Sequence, residues 1–256
     1  MSKGNLKKKI SSLRQQFHHA LDEEGFVQEI PITESSTIEI IESSDDSKLK
    51  KVTLEDLAFS PEVDKIWTID LESKKYPGLS TGDATPEKAI LILQKKMDGD
   101  IILNYHLVIC LVELKSSLQS GQLSKDKTLK QIYKKFQCAM NRMYMLLTLN
   151  NHANPQKNYQ DKEIHIRFRG LIFYNNNDIK KNDITDLNSR AYHDNEEGSL
   201  YEILTDPDRR KILSLSTLIL DRDGIEIKFI QNPDRTQDQM TIPLKDLLDR
   251  QPSRKL

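Results

Sequence analysis

Apolar positions along this chain change period several times, and each change marks an element. Residues 107–114 are almost wholly apolar, the run closes on Glu113-Leu-Lys115, and Ser116 and Ser117 follow at once. A short apolar run bounded by polar residues predicts a buried strand. Upstream, Lys88-Ala-Ile-Leu-Ile-Leu-Gln-Lys95 predicts another strand. Between them, Met97-Asp-Gly-Asp100 holds the Asp-Gly pair favoured in tight hairpins. The returning strand starts at Ile101 and is expected to bend near Asn104-Tyr-His106. Further strands are predicted at Ile38–Ile41, Lys65–Leu71 and 163–174.

Two stretches carry helical spacing. Leu6, Ile10, Leu13, Phe17 and Leu21 predict a helix over residues 5–24, with Gly25 as its stop. Leu129, Ile132, Tyr133, Phe136, Met140, Met143, Tyr144 and Leu147 form an apolar stripe that predicts a helix over 128–147. Lys127, Lys130, Lys134 and Lys135 lie off that stripe. Residues 53–57 read as a short helix, and 240–248 as a short strand and helix. Two Pro and two Gly make 76–86 a loop. Residues 42–50, 116–126, 150–162 and 175–200 also read as loops. Segments 212–220 and 225–230 flank Asp221-Arg-Asp-Gly224 and predict a second hairpin. There is no internal repeat.

Composition narrows the class. The 256 residues are 37% hydrophobic and 30% charged, enough for one main core with polar insertions. A formal net charge of −1 means that any contact with nucleic acid must use a local basic patch. Cys110 and Cys138 form no Cys-x-x-Cys pair, so a zinc or disulfide framework is not expected and a reducing compartment fits. The basic start has no apolar core behind it, and no apolar run reaches membrane-spanning length. A cytoplasmic protein with no membrane partner is expected.

Glu113 and Lys115 are two residues apart on a strand, so they project from the same face. Charges on an otherwise apolar strand are costly unless they have partners, a metal or a chemical role. Other catalytic patterns are missing. The six histidines show no zinc spacing, and there is neither a Gly-x-Ser-x-Gly elbow nor a phosphate-binding Gly-x-x-x-x-Gly-Lys loop.

The Glu113-Leu-Lys115 strand, with a hairpin before it and an amphipathic helix after it, resembles the catalytic strand of the PD-(D/E)xK nucleases. The order helix, three strands, helix, strand over residues 5–175 is similar to the core of that superfamily. The resemblance implies an α/β (α+β) fold: a restriction-endonuclease-like, mixed, mostly antiparallel sheet flanked by helices. Residues 1–175 would form the catalytic core. Residues 176–256 would form a C-terminal extension with a loop, the second hairpin and a short helix, packed on the same domain.

The resemblance also implies Mg²⁺-dependent endonuclease action on DNA, with Mn²⁺ as a substitute metal, by a homodimer. Glu113 and the carbonyl of Leu114 would hold the metal, and Lys115 would assist the attacking water. In that superfamily a second acid starts the strand before the acid-x-Lys strand. Asp83, in Thr81-Gly-Asp-Ala84, is the first choice, although no Pro precedes it directly; Asp70 is the second. Asp98 and Asp100 fall at the hairpin tip, at the wrong end of the sheet. Glu23 or Glu24 would add a further ligand. Lys127, Lys130 and Lys134 begin the helix after the site, where they would meet nucleic-acid phosphates. Two alternatives stay open: a nuclease acting on RNA, and a non-catalytic nucleic-acid-binding or scaffolding protein with the same fold.

Overall fold

The computed structural model of the protein describes residues 27–72, 85–98, 101–118, 129–149, 153–154, 159–160, 164–179, 204 and 212–248. In chain order these form strands β1 (Val27–Ile30), β2 (Ile38–Ile41), β3 (Lys51–Glu55), β4 (Val63–Asp70), β5 (Lys88–Asp98) and β6 (Ile101–Leu118). Helix α1 (Leu129–Leu149) follows, then β7 (Ala153–Asn154), β8 (Tyr159–Gln160) and β9 (Ile164–Asn177). The last elements are β10 (Ile212–Leu215), β11 (Asp223–Gln231), β12 (Gln239–Pro243) and helix α2 (Leu244–Leu248). The helix expected over residues 5–24 lies outside the described residues.

The main sheet has seven strands in the order β1-β4-β5-β6-β9-β11-β10. It is mixed: β6 pairs parallel with β9 and β9 parallel with β11, while the other neighbours are antiparallel. Two parallel neighbours cannot be joined by a tight turn, so β6 and β9 need a crossover, and α1 lies in it. A second sheet, β12-β3-β2, has three strands. Among the described residues the fold is a mixed α+β arrangement with two helices.

Period-2 alternation divides the core into two layers. Leu107, Ile109 and Leu111 of β6 and Ala89 of β5 face α1, where Ile132, Phe136, Met140 and Met143 cover them. Val108, Cys110, Val112 and Leu114 face the other way, against Ile40, Val52 and Leu54 of the small sheet. One face of the main sheet is thus covered by a helix and the other by strands. The stripe expected on α1 packs as a core, with Tyr144 also buried and its hydroxyl donating to Asp223 of β11 at 2.6 Å. Gly170 of β9 lets α1 approach, since a Cβ there would lie 2.7 Å from Phe136 Cε2 and 2.5 Å from Ile227 Cδ1.

Three expectations are corrected. Residues 53–57 are not a helix: Val52 and Leu54 alternate inward and β3 pairs with β2 and, in parallel, with the distant β12. Strand β6 does not stop at Lys115 but runs to Leu118, because β9 continues beside it. For the same reason β9 extends through Asn177 rather than ending at Tyr174. The bend expected near Asn104 coincides with a register shift between Lys96 and Met97 on the facing strand. The C-terminal hairpin forms as β10 and β11, and β11 continues the main sheet through β9.

Candidate functional site

The site forms where β5 begins and the apolar part of β6 ends. The register Lys88↔Val112 continues one step to set Glu87 level with Glu113. Ala89 and Leu111, the next residues inward on the same row, face α1. Glu87, Glu113 and Lys115 therefore share the α1 side of the sheet. Helix α1 adds Lys135 from above.

Glu113 is fully buried. Its Oε1 lies 2.5 Å from Lys115 Nζ and 2.7 Å from Lys135 Nζ. Its Oε2 is buried with no hydrogen-bond partner among the described residues. Glu87 is 4% exposed, and its Oε2 accepts the main-chain N–H of Leu114 at 2.8 Å. That N–H is turned towards β5, and the N–H and C=O of one strand residue face the same side, so the Leu114 carbonyl also opens towards Glu87.

Two buried carboxylates side by side resist double ionisation. Burial raises the Glu87 carboxyl well above the usual carboxylate range, and Glu113 pushes it further, while Lys115 and Lys135 pull against this. Burial disfavours the Lys115 ammonium, but Glu113 and Glu87 outweigh it and hold its pKa above that of an ordinary lysine. Glu72 stands exposed at the rim; the protein packed around its carboxyl raises its pKa, with Lys135 opposing.

The donor set suits a hard divalent cation. Such ions are held by one or two carboxylates, carbonyls and water, and Glu113 Oε2 is an orphaned acceptor beside a second acid whose pKa burial raises well above the usual carboxylate range. The set is small. Among the described residues no group of three or more His, Cys, Asp or Glu comes together to hold a metal.

Of the residues expected from sequence, Glu113, Leu114 and Lys115 occupy this site. Asp83 lies outside the described residues, as do Glu23, Glu24, Asp100 and Lys127. Asp70 is exposed, opposite Lys88. Its neighbours Ile69 and Leu71 point to the α1 side, so Asp70 points away from Glu113. Asp98 is exposed at the far end of β5. Lys130 belongs to α1, and Lys134 is exposed on it.

Two site residues escaped the sequence reading. Glu87 had a usable signal: Pro86-Glu87 stands directly before the strand that starts at Lys88, a Pro-acid pair where a Pro-Asp was sought. Lys135 is not off the stripe but on its edge, three residues after Ile132 and four before Ala139, and so on the same helical face. Comparison with known protein families, with curated proteins and with solved structures found no match for the chain.

Proposed function

We propose that the protein is a Mg²⁺-dependent endonuclease with a restriction-endonuclease-like core that hydrolyses phosphodiester bonds of DNA. One observation carries the reading: Glu87, just before β5, and Glu113 on the adjacent β6, two buried acids, meet beside Lys115 at one end of the sheet. Glu87, Glu113 and the Leu114 carbonyl would hold the metal, Mg²⁺ or Mn²⁺ in its place. A bound Mg²⁺ would supply charge neutralisation at the phosphate and a more acidic water.

The chain's own groups do the rest. Lys135 and Lys115 pin Glu113 Oε1 and leave Oε2 for the cation. Lys115 stays charged, so its ammonium orients the attacking water or balances charge building on the phosphoryl oxygens. Exposed Lys134 and its neighbours on α1 supply backbone phosphate contacts, a local patch that is needed because the whole chain carries a net charge of −1. Cleavage of both strands calls for a second site, which a two-fold dimer provides.

The test is cleavage of DNA and RNA with Mg²⁺ or Mn²⁺, beside Glu87→Gln, Glu113→Gln and Lys115→Ala. Loss of cleavage in all three supports the reading, and unchanged cleavage in Glu113→Gln and Lys115→Ala overturns it. RNA cut in preference to DNA would reassign the substrate. A second reading, a scaffold without catalysis, is favoured by one feature: Glu113 Oε1 already carries two ammonium groups. It requires that the protein bind nucleic acid and bind no divalent cation.

A further inference from the structure

The opposite face of the main sheet holds a separate cavity of about 400 Å³, near the other end of β5 and β6. Its floor includes His106 and Arg169, and Lys245 of α2 stands at its wall. It lies far along β6 from Glu113 and on the other side of the sheet, so it plays no part in the site described above.

Its charge is one-sided. Arg167, Arg169 and Lys245 line it against one carboxylate, Glu62. Arg167 and Lys245 are exposed and form no ion pair among the described residues. Arg169 is only 7% exposed. Its Nη1 donates to the carbonyls of Leu247 and Leu248 at 2.9 and 2.6 Å, and Glu226 lies 3.6 Å from Nη2. These contacts fix the guanidinium, yet its buried Nε has no acceptor. A buried donor without a partner is costly, so Arg169 brings fixed positive charge to the cavity, while the free donors are those of Arg167 and Lys245.

The His106 ring senses the same field. Burial lowers its pKa first, and His165, Lys96 and Arg167 lower it further, with Glu62 opposing. The rings of His106 and His165 meet edge-on, with centroids 5.4 Å apart. Phe59 and Leu248 add apolar wall to the cationic one. Ligand cavities run from roughly 300 to 1,000 Å³ and combine apolar lining with a few fixed polar groups. A lone phosphate would leave most of this one empty.

We propose that this cavity binds a small phosphate-bearing molecule of mononucleotide size, its phosphate held by Arg167 and Lys245 beside the fixed charge of Arg169 and its apolar part against Phe59. The test uses adenosine monophosphate, inorganic phosphate and adenosine on the full chain in EDTA, followed by calorimetry and by the His106 ring signals in NMR. Adenosine monophosphate is expected to shift His106 and to bind more tightly than either fragment. Arg167→Gln with Lys245→Gln, both exposed positions, should weaken it by about tenfold or more. Glu113→Gln should leave it unchanged.

No shift at His106, equal binding of adenosine, or full affinity in the Arg167→Gln/Lys245→Gln variant would overturn the proposal. So would loss of binding in a Glu113→Gln variant that still shows a cooperative thermal melt, which would move the ligand to the other face.

Discussion

Glu87 Oε2 accepts the main-chain N–H of Leu114 at 2.8 Å, tying the acid at the start of one strand to the residue between Glu113 and Lys115 on the next. The bond locks the register of β5 on β6 where the strand pairing stops, since Lys88↔Val112 is the last ladder pair. It also brings two buried carboxyl groups together. Such a pair is relieved by a proton, by cations, or by both. Lys115 and Lys135 supply part of the relief, and the raised pKa of Glu87 makes it the carboxyl that takes up a proton more readily.

The raised pKa of Glu87 sets a pH dependence. Its carboxyl is raised in the fold, so its stabilisation is complete below the unfolded value of about 4.3 and is lost as pH rises through the folded value. Glu87→Gln keeps an acceptor for Leu114 and cannot ionise. Thermal melts across the range from about pH 4 to about pH 8 should show the wild type losing stability relative to Glu87→Gln as pH rises. Parallel profiles for the two proteins would count against a shifted Glu87.

A divalent cation competes with protons for a carboxyl whose pKa is raised, so its binding should strengthen with pH. Mn²⁺ or Mg²⁺ is expected to raise the melting temperature more at about pH 8 than at about pH 5. At a hundred times the dissociation constant the gain is about 2.7 kcal/mol. Glu113→Gln and Glu87→Gln should each abolish it. A melting temperature that ignores Mn²⁺ at the higher pH would remove the metal from this site.

Lys115 and Glu113 form one buried ion pair, so the effects of changing them should not add. Lys115→Met removes a partner from a buried charge and is expected to cost about 3–5 kcal/mol. The same change in a Glu113→Gln background should cost less, with a coupling of about 1–3 kcal/mol. Urea titration of the two single variants and the double variant measures it. A coupling near zero would mean that the 2.5 Å contact of Lys115 with Glu113 contributes nothing to stability.

Gly170 controls how closely α1 sits on the sheet. A Cβ at this position would meet Phe136, next to Lys135, and Ile227 at less than contact distance. Gly170→Ala is therefore expected to destabilise the fold by about 1–3 kcal/mol through overpacking. It should also displace Lys135 from Glu113 and weaken cation binding. Denaturation with the metal-dependent melt reads both. Stability at or above wild type would show that Phe136 yields freely.

Much of the fold can be read locally. The alternation in β5, β6 and β9, and the stripe on α1, are properties of short windows, and each window places its own residues on a face. That is enough to put Glu113 and Lys115 together. Residues 53–57 failed because two inward residues, Val52 and Leu54, are too few to separate a strand from one helical turn. What made them a strand is β12, nearly two hundred residues away along the chain.

Asp83 and Glu87 differ by four residues in sequence, and proximity in sequence alone favours neither. The ladder between β5 and β6 decides for Glu87, because period-2 alternation counted back from Ala89 puts it on the face of Glu113. Lys135 likewise depends on how α1 is rolled against the sheet, which Phe136 and Gly170 determine. The sequence by itself determined the strands β5, β6 and β9, the helix α1, and that Glu113 and Lys115 share a face, because those follow from the period of each segment. Only the tertiary structure decided their partners, because register and helix rotation are settled by packing between segments distant in the chain.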